Sequence, residues 1–226
     1  MRMNRVDEKI LAELVEYDSA TVYNAVEKVQ GVSNEDYTGP EIHYLTPEFG
    51  AVIGYAVTAE VTPLNETESN MSWLEYYDLI NDTPGPIITV MKDVDVRPNR
   101  GALFGDGMAR IHKALGVVGA VVDGCIRDLT GIREAGLPIW GRGMVSGHGP
   151  FNVRAIARPL VAGQMLTQTG DLILADVDGV VKVPIEIAKD TLKIANEIRT
   201  KERSFFDMVS SPDFTYDDYK QWFLNR

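Results

Sequence analysis

The stretch from Gly105 to Asp128 reads GDGMARIHKALGVVGAVVDGCIRD: a glycine-flanked acid at one end, an adjacent Arg-Asp pair at the other. Those residue types suit chemistry on an anionic oxygen. Arg127 can bind a carboxylate or an oxo oxygen bidentately. Asp128 can ligate a hard divalent ion such as Mg²⁺, which keeps several waters and takes only one or two protein carboxylates. Asp106 can act as an acid/base group or hold a metal-bound water. A helix N-terminus opened by Gly105 and Gly107 offers free N–H groups to a carboxylate or phosphate and lets it approach the backbone. Together these parts would polarise a 2-oxo acid and stabilise an enolate.

Each residue also has an ordinary structural role. Asp128 stands where an N-cap of the segment LTGIREA belongs, and Asp106 could cap its own helix. Asp123-Gly124 could be only a turn.

Positioning these groups is the task of the surrounding elements. PIITVMKDVD is a short apolar, β-branched run and predicts a buried strand. GMARIHKAL carries Met108, Ile111, Ala114 and Leu115 in helical phase, with Gly116 at the left-handed C-terminal position. VVGAVVD is apolar on both faces, as in a parallel strand covered by helices. DLTGIREA predicts a second helix closed by Gly136, and LPIWGRG a third strand. Residues 86–141 therefore read strand, helix, strand, helix, strand, and right-handed crossovers would make the strands parallel neighbours. Ligands of such sheets bind beyond the carboxyl ends of the strands. Gly105–Gly107 and Arg127-Asp128 both fall at that edge.

Upstream, DEKILAELVEY places Ile10, Leu11, Leu14 and Val15 at helical spacing. Asp18 reads as the N-cap of SATVYNAVEKVQ, which stops at Gly31. GAVIGYAVTAEVTP reads as strand. SNMSWLEYYDLIN reads as a helix with Trp73, Tyr76, Tyr77 and Ile80 on one face, broken by TPGP. Downstream, MVSGHGPFNVRAIARPLVAGQMLTQTG is flexible at first and then strand-like. DLILADVDGVVKVP predicts two strands joined at Asp178-Gly179. Pro184 is placed as the first residue of a helix reaching Met208. The aromatic tail at 210–226 should lie on a neighbouring subunit or across its own domain. The pattern is that of one mixed-sheet α/β domain over 1–226, without a clean internal boundary.

Composition narrows the function classes. The chain has 226 residues, with 22 Lys+Arg against 33 Asp+Glu and a formal net charge of -11. It shows no basic cluster of the kind nucleic acid requires, and anionic membranes would repel it on average. Cys125 is the only cysteine, so neither an intrachain disulfide nor a cysteine zinc cluster can form. No signal-like or membrane-spanning run is evident, which fits a cytoplasmic protein.

The segment GAVVDGCIRD resembles the core signature of the family that contains ribonuclease-activity regulator A and the class II pyruvate aldolases. The likeness runs from about Ser19 to about Arg203 and includes GDLILADVDGVVKVP. The aldolase branch is marked by an Asp, twenty intervening residues and an Arg-Asp pair. Asp106, the twenty residues from Gly107 to Ile126, and Arg127-Asp128 match that spacing. The resemblance implies a swivelling β/β/α fold with N- and C-terminal helices, assembled as a homotrimer or homohexamer. It implies a lyase using Mg²⁺ or Mn²⁺ that cleaves 4-hydroxy-4-methyl-2-oxoglutarate or 4-carboxy-4-hydroxy-2-oxoadipate to pyruvate, often with oxaloacetate decarboxylase activity. Asp128 would then be the metal ligand, and Arg127 would polarise the pyruvyl oxygen. Asp106 would order the water that moves a proton at the pyruvate methyl. Backbone groups of Leu103, Phe104, Gly105, Asp106 and Gly107 would hold the carboxylate. A neighbouring subunit's C-terminal helix would add a Glu, for which Glu202 is the candidate and Glu197 a competitor. The regulator branch, which binds a ribonuclease and generally lacks the first Asp, is the competing reading. A methyltransferase reading lacks a strand followed by a G-x-G-type cofactor loop, since GDGMA carries an acid where close approach to a cofactor would be needed.

The chain departs from the family pattern at NETESNMSWLEYYDLI, where Asn70 corresponds to a substrate-side Asn. It departs also at the long KDVDVRPNRGALF connection, at GRGMVSGHGPFNV and at the aromatic tail. His148, in that third segment, could bind a substrate carboxylate or be a loop histidine without a role. His112 reads as structural or solvent-facing. Arg142 reads as the partner of an acidic surface neighbour rather than a site residue. The DVDG at 176–179 reads as a hairpin turn rather than a calcium loop. Cys125 reads as a packing residue, and Trp73, Tyr76 and Tyr77 as core or interface.

Overall fold

The β-branched run GAVIGYAVTAEVT becomes an eleven-residue strand buried along most of its length, around which the sheet is assembled. The computed structural model describes residues 5–33, 35–64 and 71–225. In chain order it begins with helices α1 (Glu8–Leu14) and α2 (Ser19–Gln30), the short strand β1 (His43–Tyr44) and the long strand β2 (Val52–Thr62). Then follow α3 (Trp73–Asp82), β3 (Ile87–Asp93), β4 (Ala102–Phe104), α4 (Asp106–Ala114), β5 (Val117–Ile126), α5 (Leu129–Ala135) and β6 (Ile139–Met144). The chain continues through β7 (Asn152–Ile156), β8 (Leu160–Ala162), β9 (Met165–Thr167), β10 (Leu172–Ala175) and β11 (Val180–Val183) to α6 (Ala188–Val209) and α7 (Tyr216–Leu224).

The main sheet runs β1-β6-β5-β3-β2-β10-β11, with β4 added beside β5 and β7 beside β2. β2, β3, β5 and β6 are mutually parallel, joined by the helical crossovers that parallel strands require. β1, β7 and β10 pair antiparallel with this block, so the α/β domain has a mixed sheet. Helices cover one face of the parallel block: Tyr76 and Ile80 of α3, Met108 and Ala109 of α4 and Ile132 of α5 pack on Val57, Met91 and Val122. The other face buries Trp140 with Ile88, Val90, Val121 and Ile173. The Trp140 indole N–H donates to the Asp176 carbonyl at 2.7 Å, as a buried indole must. α1, α2 and α6 pack on β10 and β11 as a third cluster.

Local signals act as the sequence expects at several points. Asp18 accepts the Thr21 N–H at 2.7 Å and starts α2, while Gly31 ends it at φ 74°. Gly116 and Gly136 take positive φ after α4 and α5. The β10–β11 hairpin turns at 176–179. There the Asp176 carboxylate accepts from Ser19 N and Oγ and from Asp178 N, fastening α2 to the turn. That occupies the carboxylate with protein donors, as a turn residue rather than a calcium ligand.

Other expectations need correction. The strand at 117–126 runs straight through Asp123-Gly124, so that pair is no turn. Asp123 is buried, bonds the guanidinium of Arg142 and accepts the Gly163 N–H at 3.1 Å. Arg142 thus pairs with a buried acid and, at 3.5 Å, also with the partly exposed Glu41, the acidic surface neighbour expected of it. Pro184 does not open α6: it precedes a 3-10 turn at Ile185–Ile187, and the α-helix begins at Ala188. The strand feeding α4 is not the β3 run but the separate short β4, reached by the connection 94–101. Asp93, at the end of β3, holds that connection by accepting from Asp95 N and Asn99 N. Its carboxyl is pushed up from the ordinary range by burial, although those two bonds oppose the shift. The aromatic tail forms α7, opened by a Thr215–Asp218 capping box, and folds back on its own chain with Trp222 against Phe205, ring centroids 4.4 Å apart.

Candidate active site

β4 and β5 lie parallel, pairing Ala102 with Cys125 and Phe104 with Ile126. The residues that follow each strand therefore emerge side by side. The Arg127 N–H donates to the Phe104 carbonyl at 3.0 Å, fixing the two chain exits together. A Cβ on Gly105 would stand 3.1 Å from Asp128 Oδ2 and 3.6 Å from Arg127 Nε. Gly105 has ordinary extended φ and ψ of -144° and -176°, so the site needs a glycine there for space, not for its torsion.

Asp128 occupies the N-cap position of α5 but does not cap it. Its backbone is left-handed, at φ 57° and ψ 39°, and its side chain makes no capping hydrogen bond. Asp tolerates this region better than most residues, yet it still costs about 1 kcal/mol. The carboxylate instead turns to Arg127, with Oδ2 3.2 Å from Nε. Both side chains are partly exposed, so the pair adds little stability; its content is positional.

Asp106 is the first residue of α4 and caps nothing with its side chain. Arg110, one turn on, has Nε 4.0 Å from Asp106 Oδ2 and is also held by Glu134 at 3.1 Å. On the other side, a Cβ at Gly131 of α5 would fall 2.6 Å from Asp106 Cβ and 2.7 Å from Oδ2. α5 can therefore approach Asp106 only because position 131 is glycine.

These groups line one cavity of about 260 Å³. Of the residues expected from sequence, Phe104, Gly105, Asp106, Gly107, Arg127, Asp128 and His148 meet in its wall. Leu103 does not line it; its side chain is buried in the helical-face core. His148 is exposed, with Nδ1 2.8 Å from the Gly149 carbonyl. Asn70 lies outside the described residues. Glu202 lies on α6, which packs against α1 and α2, and is not in the cavity wall of its own chain. Glu197 lines a separate open depression along α6.

Sequence reasoning missed Ala102, Met108 and Phe151, which complete the wall. Met108 had a signal, since the residue one turn into a site-forming helix faces the site as readily as the core. Phe151 had none, because its placement depends on a left-handed backbone at φ 63°.

His112 corrects the solvent-facing alternative: it is fully buried. Its Nε2 is 2.7 Å from the Tyr76 hydroxyl, and its Nδ1 is 2.7 Å from the Met108 carbonyl. The Tyr76 hydroxyl also meets Thr89 Oγ1 at 2.5 Å. Burial drives the His112 imidazole down to about 4 and pushes the Tyr76 phenol far up. This neutral network ties α4, and so the Gly105–Met108 turn, to α3 and β3.

The donor set can be tested against a metal ion. Among the described residues, no group of three or more His, Cys, Asp or Glu could cage one. What the cavity offers is two half-exposed carboxylates, Asp106 beside Arg110 and Asp128, which caps no helix. That suits a hydrated hard ion such as Mg²⁺ or Mn²⁺ held through one carboxylate plus water and substrate oxygens. It does not suit a structural zinc.

Comparison with known proteins bears on the family and the fold. Residues 19–182 match the family described as RraA-like, Aldolase/RraA. A Halalkalibacterium halodurans protein provisionally named 4-hydroxy-4-methyl-2-oxoglutarate aldolase is 28% identical over 177 residues, covering 68% of this chain and 80% of that one. Among solved structures, the Streptomyces coelicolor RraAS2 protein, an unusual member of the RNase ES inhibitor RraA family, superposes with a TM-score of 0.72. It is 28% identical, over 88% of this chain and 96% of that one. An uncharacterised Pseudomonas syringae protein shares the fold at TM-score 0.78 and 22% identity, over 98% of this chain and 97% of that one.

Proposed function

The chain belongs to the RraA-like, Aldolase/RraA family, and from that premise we propose that it is a divalent-metal-dependent lyase releasing pyruvate from a 4-hydroxy-2-oxo acid. The observation that carries this reading is the Asp128 carboxylate. It stands at a helix start without capping the helix and is turned instead to Arg127 and the Gly105–Asp106 turn.

The chemistry asked of the site is cleavage of the C3–C4 bond. The C4 hydroxyl gives up its proton as that carbon becomes an oxo group, the bonding electrons move onto the pyruvyl half, and a proton is delivered to C3. The free N–H groups at the start of α4 face the pyruvyl carboxylate, and Gly105 and Gly107 keep side chains out of its way. The Arg127 guanidinium binds the 2-oxo oxygen and favours charge there. Asp106, on the α4 rim, positions the water that carries a proton to C3. Asp128 would hold Mg²⁺ or Mn²⁺, which when bound supplies Lewis-acid neutralisation of that developing charge. Oxaloacetate presents the same pyruvyl half, and its decarboxylation belongs to the same proposal, as does a trimeric or hexameric assembly in which Glu202 of one chain serves its neighbour.

The test is release of pyruvate from oxaloacetate, 4-hydroxy-4-methyl-2-oxoglutarate and 4-hydroxy-2-oxo-4-phenylbutanoate, coupled to lactate dehydrogenase, with Mg²⁺ and with chelator. Metal-dependent release from at least one is expected. No release from any, or equal rates in chelator, overturns the reading. A second reading, a ribonuclease-binding regulator, is favoured by the likeness to RraAS2. It has no need of Asp128 as a ligand, so ribonuclease inhibition that survives Asp128→Asn would support it. Among the described residues, no helix is long and apolar enough to cross a membrane.

A further inference from the structure

We infer that Phe151, held by Trp73, forms the specificity wall for the departing half of the substrate, and that this half carries an apolar group rather than a second carboxylate. The inference rests on the oxo-acid reading of the site.

Beyond the groups assigned to the pyruvyl half, the wall is built of Ala102, Phe104, Met108 and Phe151, with the exposed His148 beside them. Arg127 is the one Lys or Arg among the described lining residues, and the proposed chemistry already employs it. Against this aromatic and thioether surface a second substrate carboxylate would lose water, and among the described residues of this chain's wall no second guanidinium or ammonium meets it, an unfavourable exchange. An apolar group would gain by the same burial.

Phe151 is an imposed feature of this wall. A bulky side chain at φ 63° is a genuine backbone outlier, and such outliers persist only where surroundings over-determine them. Here they do. The Trp73 indole stacks on the Phe151 ring at 4.7 Å and 15°, and its N–H donates to the Phe151 carbonyl at 3.1 Å. Trp73 in turn meets buried Tyr76 edge-on at 5.7 Å, which ties the stack to the His112 network. The loop before Phe151 is pinned twice: Gly147 O accepts from Ala102 N at 2.8 Å, and Gly149 N donates to Pro63 O at 2.7 Å. The strained ring is thus braced against the cavity from behind.

The test uses the full chain with Mg²⁺. Binding of 2-oxo-4-phenylbutanoate and 2-oxoglutarate is measured by calorimetry. Pyruvate release is measured from 4-hydroxy-2-oxo-4-phenylbutanoate and 4-hydroxy-4-methyl-2-oxoglutarate. The apolar-armed compound should lead by about tenfold or more in both Kd and kcat/KM, the scale of one apolar pocket contact. Phe151→Gly deletes the ring where glycine accepts the torsion freely, so the variant should fold, and the ratio should collapse towards one. Equal or reversed preference in the parent protein overturns the inference while the lyase reading stands. A carboxylate preference lost in His148→Ala does so too, and gives that arm to His148. An apolar binding preference without any pyruvate release keeps the inference and removes the lyase reading. Failure of both oxo acids to bind overturns the inference as well.

Discussion

Arg127 and Asp128 are adjacent in sequence, yet both turn to one cavity, with Arg127 Nε 3.2 Å from Asp128 Oδ2. Successive side chains of a continuing strand would point to opposite faces. β5 ends at Ile126, and the left-handed backbone of Asp128 just beyond it brings the two groups to the same side.

Asp128→Asn should therefore separate chemistry from folding. Asn accepts left-handed torsions as readily as Asp, and no capping bond is lost. Stability in urea should change by under about 0.5 kcal/mol, the scale of an uncoupled surface change. Pyruvate release in Mg²⁺ should fall by about two orders of magnitude or more. A large loss of stability with metal affinity retained would return Asp128 to the capping role.

Two glycines of the site should answer a methyl group in opposite ways. Gly131→Ala drives a Cβ to within 2.6 Å of Asp106 Cβ, and the α4–α5 contact must open, at a cost of about 1–3 kcal/mol. Gly107→Ala meets nothing within 4 Å and sits in the first turn of α4. It should leave stability unchanged or raise it by up to about 1 kcal/mol, while KM for the oxo acid rises because the new methyl enters the cavity. Denaturation curves and steady-state kinetics on both variants check this.

His112 should set an acid limit on stability. The folded imidazole titrates near 4 because it is buried, and the unfolded one near 6.5. Between those values the unfolded chain binds a proton that the folded chain does not, so stability is fully present above pH 6.5 and declines as pH falls through the window. The difference corresponds to about 3 kcal/mol. Urea midpoints from pH 7 to pH 4 should fall more steeply in the parent protein than in His112→Gln. Parallel curves would assign the acid sensitivity to the carboxylates.

The C-terminal helix should be separable from the body. No residue of α7 is buried, and its ring contacts with the long helix run through Phe205 to Tyr219 and Trp222. A nine-residue helix is marginal in water by itself. Trp222→Ala should lower helical ellipticity by roughly the content of α7, with the main melting transition moved by under about 0.5 kcal/mol. A large drop in the main transition would show that α7 braces the body.

Much of the site is legible in the sequence because local rules govern it. The alternation of apolar runs with helical periods places Gly105–Gly107 and Arg127-Asp128 at one sheet edge. The glycines at 116 and 136 close their helices as turn chemistry requires. The resemblance to the aldolase signature turns on residue identity at fixed spacing, which the chain displays without being folded.

What only the tertiary structure decided depends on contacts between distant segments. The short β4 is a strand because β5 lies beside it; its residues are too few to carry a period. Asp123 looks like a turn residue by type, yet it is buried in β5, because Arg142 and the Gly163 N–H supply its partners from 19 and 40 residues away. Whether Asp128 caps a helix or turns to Arg127 is a matter of one left-handed residue, and a composition window does not record torsions. Phe151 reaches the cavity because Trp73 and Pro63 hold its loop from across the fold. The sequence by itself determined which reactive groups come near one another; the packing of α3, α5 and the 147–151 loop decided which way they point, since orientation is set by neighbours that only folding brings into contact.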